Sequence, residues 1–90
     1  SGKDLTGTNL TGINLSGLDL TGTILTGAKL SNANLTGVDL SGKDLTGTIL
    51  TGADLTNAVL TDALLKGANL VDAILTNAIL NCVGHSLCTG

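Results

Sequence analysis

The sequence predicts an all-β solenoid, in which the chain winds repeatedly in one sense around a leucine core. Three observations lead to this fold class. Leucine occupies position 5 and every fifth position after it through position 80, which makes sixteen consecutive repeats. From position 7 to position 77, the residue two places after each leucine is Gly, Asn or Asp. The chain is 42% hydrophobic and only 12% charged, which excludes a disordered polymer.

The five-residue period belongs to neither regular secondary structure. An α-helix advances 3.6 residues per turn, so every fifth residue would spiral around its surface. A β-strand alternates every two residues, so successive leucines would face opposite sides. The chain must therefore turn once in each repeat, always with the same hand, to keep the leucines inside. The predicted core ladder is Leu5, Leu10, Leu15, Leu20, Leu25, Leu30, Leu35, Leu40, Leu45, Leu50, Leu55, Leu60, Leu65, Leu70, Leu75 and Leu80.

The other positions of the repeat indicate how the chain turns. Gly, Asn and Asp tolerate the positive φ that the third position of a type II turn requires. The residue directly after each leucine is Ser or Thr in 13 of 15 repeats, which suits a turn that faces solvent. The residue two places before leucine is Ala in eight repeats from Ala28 onward, and we expect this small side chain to pack inward at a corner.

This pattern resembles the pentapeptide-repeat family, whose consensus is Ala-(Asp/Asn)-Leu-x-x. Residues 33–35, 53–55 and 68–70 match it in full, and the resemblance covers residues 1–80. It implies a right-handed quadrilateral β-helix with four pentapeptides in each coil, and therefore about four coils. We expect residues 81–90, which leave the repeat, to form a cysteine-containing cap or joint segment.

Two lysines interrupt the inward positions. Lys3 and Lys43 occupy equivalent places, because residues 1–10 and 41–50 differ at one position only. We expect each aliphatic stem to run along a corner while the ammonium group emerges into solvent. A charged lysine kept inside the core is the alternative.

The two ends of a solenoid need protection. An open coil exposes a ring of four leucines. It therefore lacks on the order of 4 kcal/mol of the stabilisation that burying these side chains would give. It also leaves an unpaired edge that can pair with another chain. Ser1 and Gly2 already lie in the turn phase of a repeat, so we expect either a preceding segment or an end that stacks on another surface.

The tail after Leu80 carries both cysteines and the single histidine. We predict a disulfide between Cys82 and Cys88 that closes a capping loop, which would suit an oxidising compartment. Two free thiols are one alternative. The spacing of Cys82, His85 and Cys88 offers a metal site as another, but structural zinc requires four ligands, so no metal is predicted.

Apolar side chains accumulate on the outside near the same end. They take positions that elsewhere hold Asp, Asn or Thr, and their concentration suggests a contact surface. The alternatives are that solenoid walls tolerate such residues, or that the tail folds over them. The interface candidates are Leu64, Val71, Ile74 and Ile79.

The composition offers little for catalysis or for most classes of ligand. Glu is absent and the aspartates are spread along regular positions, so we predict no catalytic or cofactor-binding residue, no cofactor and no small-molecule substrate. A net charge of −3 without aromatic residues argues against nucleic acid as a partner. No apolar run of about 18 residues is present, so no membrane insertion is expected. The sequons at Asn9, Asn14 and Asn34 follow from the repeat, and we expect them to be unused.

We therefore expect a non-enzymatic scaffold that self-associates by end-to-end stacking of coils, up to filaments. An extracellular, periplasmic or lumenal location is favoured by the cysteines, with the cytoplasm as the alternative. The resemblance implies two further functions: a module of the gyrase-binding, DNA-mimicking type, or a lumenal or periplasmic protein of unassigned role. Thr-Gly-Thr segments at 6–8, 21–23 and 46–48 also suggest ice binding, as a less favoured hypothesis.

Overall fold

A tight turn closes every repeat in the computed structural model, which describes residues 2–89. Ser1 and Gly90, the outermost residues of the predicted ranges 1–80 and 81–90, lie outside the described residues. For each ladder leucine from Leu5 to Leu75, the N–H three places later donates to the leucine carbonyl, as Thr8 does to Leu5 at 3.0 Å. From position 7 to position 77, the third turn residue has φ between 58° and 76°. This left-handed conformation explains why only Gly, Asn and Asp occur there.

Parallel bridges join residues that lie twenty positions apart, with four turns between them. The chain therefore winds as a β-helix, and its residues 2–89 contain no helix and no strand longer than a single bridge residue. Residues that lie twenty positions apart stack into four sides, which we number. Side 1 carries Asp4, Ile24, Asp44 and Leu64; side 2 carries Asn9, Lys29, Ile49 and Asn69; side 3 carries Asn14, Asn34, Asp54 and Ile74; side 4 carries Asp19, Asp39, Val59 and Ile79.

The leucines of the predicted ladder point into the helix. Those from Leu25 to Leu65 are at most 1% exposed, whereas Leu5, Leu10, Leu75 and Leu80, at the two ends, are half-buried. Each full burial contributes about 1.5–3 kcal/mol. Alanines two places before leucine fill the remaining inner space, and those from Ala28 to Ala63 are almost fully buried.

Lys43 is half-buried, and its ammonium group is held by the backbone instead of emerging freely as the sequence led us to expect. Its Nζ donates to the carbonyl oxygens of Leu20 at 2.6 Å and of Thr23 at 3.0 Å, both in the preceding coil. Lys3, with the same local sequence, is exposed at the beginning of the helix. The difference arises because a coil lies before Lys43 and no described coil lies before Lys3.

The backbone ladder opens beside Lys43. Bridges are absent between Asp19 and Asp39 and between Ile24 and Asp44, although they join the residues on both sides of this gap. A cleft of about 250 Å³ lies between the two coils here. Lys43 occupies an inward position that alanine fills in other repeats, and its side chain lines this cleft together with Leu18.

Within residues 2–89, no helical segment has the length and apolar character needed to cross a bilayer.

Candidate functional site

The C-terminal tail extends side 1 for one more step. Asp62 donates its N–H to the carbonyl of Asn81 at 3.0 Å, and Leu65 donates to that of Val83 at 2.8 Å. The bridge from Leu64 to Val83 spans 19 positions instead of 20. The tail therefore runs one residue short of the repeat, and this shift places Cys82 inward, where it is 3% exposed.

Cys82 and Cys88 are joined by a disulfide. The alternatives of two free thiols and of two sulfur ligands for a metal are therefore wrong. No cluster of metal-binding side chains occurs in the part of the chain that the structure describes. His85 has a local role instead, because its Nδ1 accepts a hydrogen bond from the N–H of Leu87 at 3.1 Å.

The loop that the disulfide closes lies against the end of the helix. Thr89 donates its N–H to the carbonyl of Leu80 at 2.7 Å, and Cys88 packs on the leucine core. Residues 85–87 face residues 68–71 across a shallow groove of about 430 Å³. The loop therefore covers part of the terminal coil.

Gly84 starts this loop at a position that a larger residue would disturb. Its φ is +89°, and a Cβ built on it would lie 3.2 Å from the backbone nitrogen of Lys66. Both the left-handed backbone and the close approach favour glycine. The sequence showed this glycine only as a residue outside the repeat.

The rest of the terminal coil presents unpaired backbone donors. In earlier coils the leucine N–H donates to a carbonyl 19 positions later, as Leu50 does to Asn69 at 2.7 Å. Among residues 2–89, the N–H groups of Leu70, Leu75 and Leu80 have no such acceptor. This end therefore presents a row of free N–H groups parallel to the helix axis.

The first described coil holds the matching acceptors. Carbonyls such as that of Lys29 accept from the coil before them, in this case from the Leu10 N–H at 2.7 Å. The carbonyls of Asn9 and Asn14 have no donor within residues 2–89. The two ends are complementary, as they must be in any parallel ladder that is cut between coils.

The interface candidates surround the terminal coil instead of forming one patch. Leu64 lies on side 1, Ile74 on side 3 and Ile79 on side 4, while Val71 lies at the turn between sides 2 and 3. Their exposed fractions are between 43% and 60%. Sequence reasoning missed two further members of this apolar ring, Val83 and Leu87, because both lie in the tail outside the repeat.

Carboxylates and carboxamides on the sides close the turns. Asp4 Oδ1 accepts from the hydroxyl of Thr6 at 2.6 Å and from its N–H at 3.0 Å. Hydrogen bonds from the Ser or Thr two places later, first from the hydroxyl and then from the backbone, lower the pKa of each aspartate of this kind. These aspartates are Asp4, Asp19, Asp39, Asp44 and Asp54.

The same geometry accounts for the sequons. Asn9 Oδ1 accepts from the hydroxyl of Thr11 at 2.7 Å and from its N–H at 3.1 Å. An Asn, a Leu and a hydroxyl residue therefore follow one another because the turn requires them.

The Thr-Gly-Thr segments do not form paired surface rows. The second threonine of each segment points inward, and Thr48 is fully buried with its hydroxyl bonded to the carbonyl of Leu45 at 2.9 Å. Thr23 is likewise buried, and Thr8 is half-buried. The surface threonine rows that suggested ice binding are therefore not present in these segments.

A family model described as pentapeptide repeats matches the chain in eight copies, over residues 4–42 and 44–77. Among solved structures, the pentapeptide repeat protein alr5209 from Nostoc PCC 7120 is 41% identical, with a TM-score of 0.76 over 81% of this chain and 60% of that one. The pentapeptide repeat protein Rfr23 from the cyanobacterium Cyanothece 51142 is 36% identical, with a TM-score of 0.66 over 91% of this chain and 64% of that one. The chain thus spans less than two thirds of either relative.

A more distant likeness shows the fold alone. QnrB1, a plasmid-mediated fluoroquinolone resistance protein, is 21% identical, with a TM-score of 0.58 over 91% of this chain and 46% of that one. Among curated proteins, none gives a significant match. The pentapeptide-repeat relatives imply that the winding described above is a right-handed β-helix.

Proposed function

Because the chain belongs to the pentapeptide-repeat family, we propose that it is a non-enzymatic structural module that associates end to end with further copies of itself. Leucine and alanine side chains fill the core of the described residues, and five aspartates accept hydrogen bonds that close turns. The surfaces that remain for function are the walls and the two ends.

We infer that the sixteen repeats make four coils of four pentapeptides with a quadrilateral cross-section. The separation of bridged residues and the four turns between them support this arrangement. Residues 1–80 are then the solenoid, and residues 81–90 are a separate terminal segment.

The match between the two ends carries the proposal. Stacking one copy on another would pair the N–H groups of Leu70 and Leu75 with carbonyls such as those of Asn9 and Asn14. It would also cover the half-buried leucines of both terminal coils. Such a contact joins two different surfaces, so it propagates into a filament unless it closes into a ring.

Light scattering after size-exclusion chromatography, over a range of concentrations, combined with electron microscopy, tests this function. We expect assemblies that grow with concentration under oxidising or reducing conditions.

Ala73→Lys adds a charge to the open end at the inward position that Lys43 occupies elsewhere, and it should prevent growth. Thr46→Lys adds the same charge to a side wall and should not. A wild-type chain that remains monomeric at high concentration in both conditions would refute the proposal.

A second candidate is a module that binds a different protein. The ring of exposed apolar side chains at the terminal coil favours it, because such residues are enriched where a surface is covered. If Ile74→Ser and Ile79→Ser leave self-association unchanged but abolish capture of a heterologous partner, this function is preferred.

The disulfide supports an extracellular, periplasmic or lumenal location, because such bonds persist in oxidising compartments. Alkylation of the protein in its native cells, followed by mass measurement, tests this. Two alkylated cysteines in the resting cell would contradict it.

A further inference from the structure

We propose that the loop Gly84–Thr89 is a lid over the end-to-end contact surface, and that dithiol reductants open this lid by breaking the Cys82–Cys88 disulfide. The inference rests on the proposed self-association and adds its regulation. The occupant of the uncovered surface is the first coil of a second copy of this chain.

The loop occupies space that the second copy would need in order to stack. Residues 85–87 stand across a groove from residues 68–71, so they lie beside the free N–H of Leu70. Thr89 is bonded to the Leu80 carbonyl, which brings the loop back across the end. The groove includes Leu70 but not Leu75, so the loop lies nearer the donor on side 2 than the donor on side 3.

Few interactions besides the disulfide hold the lid. Residues 81–83 continue the ladder on side 1 through Asn81 and Val83, so they need not move when a second copy stacks on the other three sides. Beyond them, one backbone bond from Thr89 and the packing of Cys88 tie the loop to the coil. Closing a loop this short by a covalent bond raises the ratio of closed to open forms by on the order of 50-fold. Reduction therefore removes most of the bias toward the closed form.

The opening reaction is a thiol–disulfide exchange. One thiolate of the dithiol attacks a sulfur of the pair and forms a mixed disulfide, and its second thiol then displaces the protein sulfur. Two electrons and two protons pass to Cys82 and Cys88, which become thiols, and the reductant leaves as a disulfide. Cys88 leaves with the loop, while Cys82 stays buried in the ladder.

The test measures self-association of the full chain with and without dithiothreitol, by light scattering and sedimentation. Cys88→Ser is a permanently open form, and Ser86→Ala is the matched loop variant that keeps the disulfide. Hydrogen exchange of the Leu50 amide reports whether the core stays folded in each sample. We expect the reduced wild type and Cys88→Ser to associate on the order of 10-fold more tightly than the oxidised wild type. Ser86→Ala should follow the wild type in both conditions.

Each outcome decides the matter. Tighter association of both open forms, abolished by Ala73→Lys, supports the lid. Equal association of oxidised and reduced protein overturns the lid and leaves the proposed function standing. Tighter association of the oxidised protein also overturns it, because the loop would then be a joint. No association in any form, with the core folded, refutes both proposals.

Discussion

Replacing Lys43 by alanine should stabilise the protein, which is unusual for a residue that makes hydrogen bonds. Six backbone N–H groups lack the ladder partner that their counterparts have in the other coils. They belong to Gly17, Leu20, Gly22, Leu25, Asp39 and Asp44. All six border the gap that the Lys43 side chain occupies, and alanine at this inward position would let the two coils close.

The size of the gain follows from the bonds made and lost. Each restored backbone bond contributes about 1 kcal/mol, and the two bonds from the ammonium group contribute about 1.5 kcal/mol each. Closing the gap therefore raises the free energy of unfolding by about 2–3 kcal/mol. With a urea dependence of about 1–3 kcal/mol per molar, the unfolding midpoint moves up by about 1–3 M.

Urea unfolding followed by circular dichroism, with hydrogen exchange of the Leu20 and Leu25 amides, checks this reasoning. Both amides should become protected in Lys43→Ala. Lys3→Ala is the matched control, because Lys3 has the same local sequence but is exposed at the end, and its midpoint should change little. A midpoint of Lys43→Ala at or below that of the wild type, with unchanged exchange, would show that the lysine does not hold the coils apart.

Three further substitutions probe the repeat itself. Leu50→Ala should cost about 3 kcal/mol of unfolding free energy and Leu5→Ala about 1 kcal/mol, because only Leu50 is fully enclosed; urea titration measures both. Asn57 has φ 62°, so Asn57→Ala should cost about 1 kcal/mol, while Asn57→Gly should be neutral or stabilising in thermal unfolding. Hydrogen bonds from Thr56 lower the pKa of Asp54 below 3.8 in the folded chain, so its contribution to stability is present above that pH and is lost as the pH falls through the folded pKa. Asp54→Asn keeps an accepting oxygen that does not titrate. The thermal midpoint of this variant should therefore fall less than that of the wild type between about pH 5 and about pH 2.

The periodic part of the structure could be predicted because one rule decides every repeat. A leucine every fifth residue leaves few ways to bury all of them, and a Gly, Asn or Asp at each turn identifies the left-handed position. Thr23 and Thr48 are buried because they hold the place two residues before leucine, although Leu18 at the same place is 54% exposed. The sequence alone could have placed them by comparison with Ala28.

The features of the candidate site depend on contacts that the local sequence does not contain. Lys3 and Lys43 lie in nearly identical ten-residue segments, and their environments differ because of a coil twenty residues away. The tail shifts by one residue after Asn81, which no periodic pattern predicts, and that shift turns Cys82 inward and brings Val83 beside Leu64. The cleft beside Lys43 and the groove under the tail both lie at such breaks in the period.

Gly84→Ala tests the lid without touching either cysteine. The methyl group would meet the Lys66 backbone at 3.2 Å and would also oppose a φ of +89°, so the loop should move away while the disulfide remains. Gly42→Ala is the matched control, because its φ is +69° and nothing lies within 4 Å of a built Cβ. Gly42→Ala therefore measures only the loss of unfolding free energy that the left-handed backbone causes, about 1–2 kcal/mol. Hydrogen exchange of the Leu65 amide, which is bonded to Val83, should accelerate more in Gly84→Ala than in Gly42→Ala. Equal exchange in the two variants would mean that the close approach to Lys66 does not hold the loop against the end.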